Sequence, residues 1–176
     1  GSVADELIEI FVKLWTEENP PFEGKFYQVR EIGCFPKPAQ KPHPPIFVGG
    51  NSRPAIRRAA KYSQSWHAFR VLAEELPAFL GYLREQLCTH GRPSGACGFS
   101  VRYGARVVGP RGDTTRRDPE EPGRVFVGTA AQVAEQLKPI VDLGPTHAIF
   151  DCRTGSYAEL LETMERFYAA TAEAHL

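Results

Sequence analysis

Five consecutive residues, Gly49-Gly50-Asn51-Ser52-Arg53, carry the types and spacing from which a binding site could be built. They follow the short apolar run Ile46-Phe47-Val48 and open a helical run that reaches Tyr62. Two glycines let a ligand approach the backbone closely, a Ser or Asn oxygen can cap the helix, and the amides of its first turn point outward beside a cation. That is the geometry of an anion site. A plain strand-to-helix turn, with Ser52 or Asn51 merely capping, uses the same residues, and the local sequence leaves both readings open.

Other charged positions give weaker signals. Arg102 and Arg106 share a strand face by the period of two and point either to an interior that must supply partners or to solvent. Arg53, Arg57 and Lys61 lie along one side of a helix and read as an exposed charged face. Three arginines followed by alternating acids between Arg111 and Glu121 mark a long polar loop, read as disordered or as an active-site lid.

Composition narrows the field. With 176 residues, 42% hydrophobic and 24% charged, the chain is long enough for one core of moderate size. Lys plus Arg equals Asp plus Glu at 21 each, so charge argues for neither nucleic acid nor an anionic membrane as partner. The expected partner is a small-molecule substrate or protein. No apolar run approaches the roughly 20 residues that span a bilayer. Cys34, Cys88, Cys97 and Cys152 are widely spread with no Cys-x-x-Cys pair, which disfavours a disulfide framework and a zinc site. No metal site is expected, and a reduced, cytoplasmic protein is the default. No Gly-x-Gly-x-x-Gly, phosphate loop of the Walker type, nucleophile elbow or His-x-x-x-His pair occurs, so a cofactor must carry any hard chemistry.

The elements that must position these residues follow from periodicity. Val3, Leu7, Ile10, Phe11, Leu14 and Trp15 define a helix from Val3 to about Thr16, stopped by Asn19-Pro20-Pro21. The chain thus opens almost directly on a helix after Gly1-Ser2, which suggests a segment of something longer. A small hairpin over Phe22–Val29 and a proline-rich lead-in from Pro36 to Pro45 complete residues 1–45. From Ile46 onward short strands alternate with helices: Ile46–Val48 with Arg53–Tyr62, Ser65–Phe69 with Ala73 to about Thr89, Phe99–Val108 with Ala130–Asp142, and His147–Cys152 with the helix after Ser156. Val125-Phe126-Val127 leads into the third of these helices, whose start carries the capping box Thr129-x-x-Gln132. Glu159 serves Ser156 in the same way, Pro77 fits a first turn, and Pro139 is expected to kink or split its helix. Such alternation signals parallel strands joined by crossover helices, and four units are half of a closed eight-unit barrel of about 250 residues.

The order Leu14-Trp15, Phe22-Glu23-Gly24-Lys25-Phe26-Tyr27, Pro36-Lys37-Pro38, Pro42-His43-Pro44-Pro45-Ile46-Phe47-Val48-Gly49-Gly50-Asn51-Ser52, Ala59-Ala60-Lys61-Tyr62 and Trp66 resembles the second half of a bacterial luciferase-like monooxygenase. Gly128-Thr129-x-x-Gln132-Val133 and Gly144-x-Thr146-His147 fit the same pattern, so the resemblance covers nearly the whole chain. It implies an α/β fold, the second half of a TIM-type (β/α)8 barrel with four parallel strands alternating with helices. The chain would then supply strands five to eight of a flavin- or deazaflavin-dependent oxidoreductase, with FMN or coenzyme F-420 at the carboxyl ends of the strands.

The resemblance also assigns roles. It gives Gly49, Gly50, Asn51, Ser52 and Arg53 part of the grip on the cofactor phosphate. Trp66 becomes a cofactor contact or a core residue, and His67 a candidate substrate-facing proton donor. Ser63-Gln64-Ser65-Trp66 stands where the family usually shows Asp-Gly-Trp, a departure that removes a carboxylate and a glycine. The segment alone would be inactive. A non-catalytic half-barrel that dimerises through its open sheet edges is the alternative, and a homodimer is the expected assembly.

Overall fold

The computed structural model describes residues 1–30, 32–108, 123–152 and 156–173. Helix α1 (Ser2–Thr16) is followed by an antiparallel hairpin of β1 (Phe22–Glu23) and β2 (Gln28–Val29). The Glu6 carboxylate joins the two by accepting from the amides of Lys25, Phe26 and Tyr27 at 2.8, 2.9 and 3.1 Å. A Cβ on Gly24 would stand 2.3 Å from that carboxylate, so a side chain there would have to displace it.

The parallel system comprises β3 (Phe47–Gly49), α2 (Arg53–Tyr62), β4 (Ser65–Phe69), α3 (Leu76–Thr89), β5 (Gly98–Val107), β6 (Val125–Gly128), α4 (Ala130–Val141), β7 (His147–Asp151) and α5 (Tyr157–Glu173). All pairings in this sheet are parallel. β5 is its axis. The amides of its even-numbered residues Gly98 and Gly104 bond to Gln64 and Arg124, whereas the carbonyl of odd-numbered Phe99 accepts from Thr146. β4 and β6 therefore lie end to end along one edge of β5, and β7 lies along the other. Sequence reading finds the four strand-helix units; β6 is an additional short strand between β5 and α4.

Alternation divides this sheet into two faces. Val48, Trp66, Ala68, Phe99, Val101 and Tyr103 are buried beneath the helices, with Ile56, Leu76, Leu80, Leu83, Leu87, Val133, Leu137 and Ile140 packed on them. Register places Gly49, His67, Ser100 and His147 in one row on the opposite, inner face, and Phe69, Arg102 and Ile149 in the next.

Local expectations hold with small shifts. Gly49 belongs to β3, one residue later than expected. α3 begins at Leu76, with Pro77 in its first turn, rather than at Ala73. Both halves of the Thr129–Gln132 capping box form, and Glu159 donates its amide to Ser156 Oγ. Of the kink or split expected at Pro139 the split does not occur: α4 is one helix through it to Val141. The proline stands in the last turn, where little helix remains beyond the missing bond. The Arg111–Glu121 loop lies outside the described residues.

One side chain locks the end of α2. Arg92 donates to the carbonyls of Ala60, Ser63 and Ala96 at 2.6, 2.8 and 2.9 Å, gathering three acceptors with one guanidinium. Arg92→Met leaves them without their charge-assisted donor and should destabilise the chain by about 2–4 kcal/mol in urea titration. A loss below about 0.5 kcal/mol would show that water replaces the guanidinium freely.

Candidate functional site

The turn between β3 and α2 lies at the carboxyl end of the sheet, and each of its residues is held differently. Gly50 has φ +118°, a conformation that an L side chain rarely adopts, and a Cβ there would stand 3.0 Å from that of Ala55. Its carbonyl accepts a 2.8 Å hydrogen bond from Trp66 Nε1. Because the peptide is planar and trans, a Gly50 carbonyl aimed into the core aims the Asn51 amide away from it. Ser52 caps α2 by accepting from the Ala55 amide at 3.4 Å. Pro54 has no amide and that of Ala55 goes to Ser52, so the amides of Asn51, Ser52 and Arg53 are the ones the cap of α2 does not use.

Side chains from this set are engaged by the chain itself. Asn51 donates to the Phe69 carbonyl at 2.7 Å and accepts from the Phe69 amide at 3.2 Å, tying the turn to the end of β4. The Arg53 guanidinium lies over the Tyr82 ring, 5.1 Å from its centroid. Trp66 is fully buried, tilted against Phe79. It stands on the helix side of the sheet and reaches the turn only through Gly50. Of the two roles open to it in the sequence, the core position is the observed one.

His67 faces inward. Its Nδ1 is 2.8 Å from Ser100 Oγ, and Ser100 itself is fully buried. Burial first, and the nearby Arg102 charge second, push the imidazole below its ordinary value, so it is neutral at neutral pH. Arg102 is itself paired: Nε reaches Asp151 Oδ1 and Oδ2 at 3.2 and 3.0 Å, and its terminal nitrogen reaches Oδ1 at 2.8 Å. Asp151 escapes sequence reading because its partner lies on a different strand; the shared inward parity of Arg102 and Asp151 appears only once β5 and β7 are in register. Among the described residues there is no cluster of three metal-ligating side chains, and no helix is long and apolar enough to cross a membrane.

Parallel strand-helix units with a glycine turn and a helix start at the carboxyl end of the sheet define an α/β enzyme fold of the TIM-barrel type. The chain belongs to the luciferase-like monooxygenase family, whose model matches residues 2–111. It is 30% identical over 124 residues to an FMNH(2)-dependent dimethylsulfone monooxygenase of Pseudomonas putida, an alignment covering 70% of this chain and 31% of that relative. The long-chain alkane monooxygenase LadA superposes with TM-score 0.78 at 15% identity, covering 99% of this chain and 56% of its own. An F420-dependent secondary alcohol dehydrogenase, solved with an F420-acetone adduct, gives 0.77 at 12% identity, covering 96% and 61%. The chain thus spans less than two thirds of the length of these relatives.

Two outcomes follow from the site geometry. Gly50→Ala should cost about 1–3 kcal/mol because of its φ. Gly49→Ala should stay within about 0.5 kcal/mol, since its φ is not in the left-handed region and a new Cβ meets only the His67 carbonyl at 4.0 Å. Equal losses in denaturant titration would contradict this division. For His67, a folded-state value below that of the unfolded chain means that the unfolded state binds more protons, so its contribution is complete above about pH 6.5 and is lost as pH falls through the folded value. NMR titration should place its midpoint below 6.5, with Arg102→Met moving it upward; a midpoint at or above 6.5 contradicts the assignment.

Proposed function

We propose that the intact protein is an FMN- or coenzyme F-420-dependent oxidoreductase acting on a small organic substrate, by hydride transfer or oxygen insertion. Within it, Gly49–Arg53 supplies part of the phosphate grip, and the 176-residue segment is inactive alone. Family membership supports the class, and the dependence of the named relatives on FMNH(2) or F420 supports both cofactors equally.

The observation that carries the assignment of the turn is Gly49. Gly50 needs glycine for its backbone, but among the described residues no conformation or contact demands it at Gly49. A glycine whose Cβ position meets only the His67 carbonyl at 4.0 Å, followed by amides its helix cap does not use and a helix start, fits close approach by a phosphate-bearing ligand. Trp66 acts as a positioning residue through the Gly50 carbonyl. Asn51 does so through Phe69, while its amide, with those of Ser52 and Arg53, is offered to the phosphate. Bound there, a flavin would supply hydride transfer and oxygen activation, and a deazaflavin hydride transfer alone. The neutral His67, with Nδ1 engaged by Ser100, offers Nε2 to a ligand on the inner face as hydrogen-bond partner or proton donor.

Fluorescence titration of the purified chain with each cofactor tests this reading, using Gly49→Glu as the control because that position tolerates a side chain. Saturable binding weakened about tenfold or more by the new carboxylate is expected. No binding, or equal binding by the variant, contradicts the grip, and turnover by the segment contradicts its inactivity.

A second reading, a half-barrel that self-associates, is favoured by the open edges of β3 and β7 and by Phe47, Phe69 and Ile149, which are 46–47% exposed on the inner face. Sedimentation at high concentration should then show a homodimer; a monodisperse monomer contradicts it.

A further inference from the structure

The inner face carries one guanidinium whose fork is already closed, and that fact bears on substrate charge. Arg102 and Asp151 are partners on adjacent strands, joined by three N–O approaches of 2.8–3.2 Å. Asp151 is the more enclosed of the two, with its side chain 19% exposed against 44% for Arg102. The row that holds Arg102 is otherwise apolar: Phe69 lies on one side, with its ring centroid 5.9 Å from the guanidinium carbon, and Ile149 on the other. The row below presents His67, already bonded to Ser100, and His147, whose ring meets the edge of Phe47 at 5.6 Å.

We infer that this wall selects an uncharged, largely apolar substrate carrying a single hydrogen-bonding group, and that Asp151 is the residue that excludes anions from it. The inference rests on the inner face being the substrate side of the proposed oxidoreductase. A sulfonate or carboxylate entering here meets a cation whose Nε and one terminal nitrogen are committed to a carboxylate. To use that edge the anion must break a bidentate, charge-assisted pair and then lie beside the displaced Asp151. A neutral molecule meets no such cost. It packs on Phe69 and Ile149 and directs its polar group to His67.

Among the described residues, other arginines near this end are engaged within the chain. Arg70 lies over the Phe69 ring and, like Arg106, has further interactions of its own, while Arg53 is stacked on Tyr82 across the turn. In the row of Phe69, Arg102 and Ile149, the charge an entering ligand meets is that of the Arg102–Asp151 pair.

Methanesulfonate tests the inference, as a small sulfonate whose charge would seek the Arg102 guanidinium. The readout is the Arg102 Nε–H resonance of the 15N-labelled chain, native and Asp151→Asn, with sodium chloride at equal ionic strength as reference. Methanesulfonate should leave the native resonance unmoved. In Asp151→Asn it should shift that resonance saturably, with affinity about tenfold or more above native, and Arg102→Gln/Asp151→Asn should lose the gain. Saturable movement of the native resonance by methanesulfonate overturns the inference whether or not the variant folds, and so does a folded Asp151→Asn chain with no gain. The cofactor titrations are read out separately, so loss of the flavin reading and loss of this one are distinguishable.

Discussion

A single hydrogen bond, from the buried indole of Trp66 to the carbonyl of Gly50, sets the orientation on which the candidate site depends. The indole cannot move without opening the core around Phe79 and the helices above the sheet. Its donor needs an acceptor inside an apolar environment, and the turn supplies one. Fixing that carbonyl inward fixes the next amide outward, and the left-handed backbone at Gly50 permits it. Core packing and the direction of the Asn51 amide are here two ends of one peptide plane.

The second constraint is the parity of β5. Because side chains alternate, the same strand offers Phe99, Val101 and Tyr103 to the helices and Ser100 and Arg102 to the inner face. Parallel register then lines up His67 with Ser100 and Arg102 with Phe69, so the inner chemistry is assembled across strands far apart in sequence. Tyr103 shows what the buried face demands of a polar group: its hydroxyl donates to the Val71 carbonyl at 2.5 Å, and burial pushes its ionisation up to about 12.

Much of this was legible in the sequence. Periodicity and the Thr129–Gln132 and Ser156–Glu159 spacings placed four strand-helix units, because those signals are local and agree with one another. The glycine turn was legible for the same reason. What escaped was whatever depends on partners distant in the chain. Asn51 read as a capping or ligand residue, yet its side-chain amide binds the Phe69 backbone. Asp151 gave no signal until β5 and β7 stood in register. Pro139 read as a kink or a split because propensity does not know that the helix ends two residues later. The relatives extend well beyond the region matched here, and the face opposite the helices is where the polar inner residues lie.

The most direct test of the central claim is an amide map of the 15N-labelled chain in the presence of FMN and, separately, of coenzyme F-420. The account predicts saturable shifts centred on the amides of Asn51, Ser52 and Arg53, with the Trp66 indole N–H following through Gly50. Shifts centred elsewhere, or none with either cofactor, would contradict the assignment of this turn as a phosphate grip.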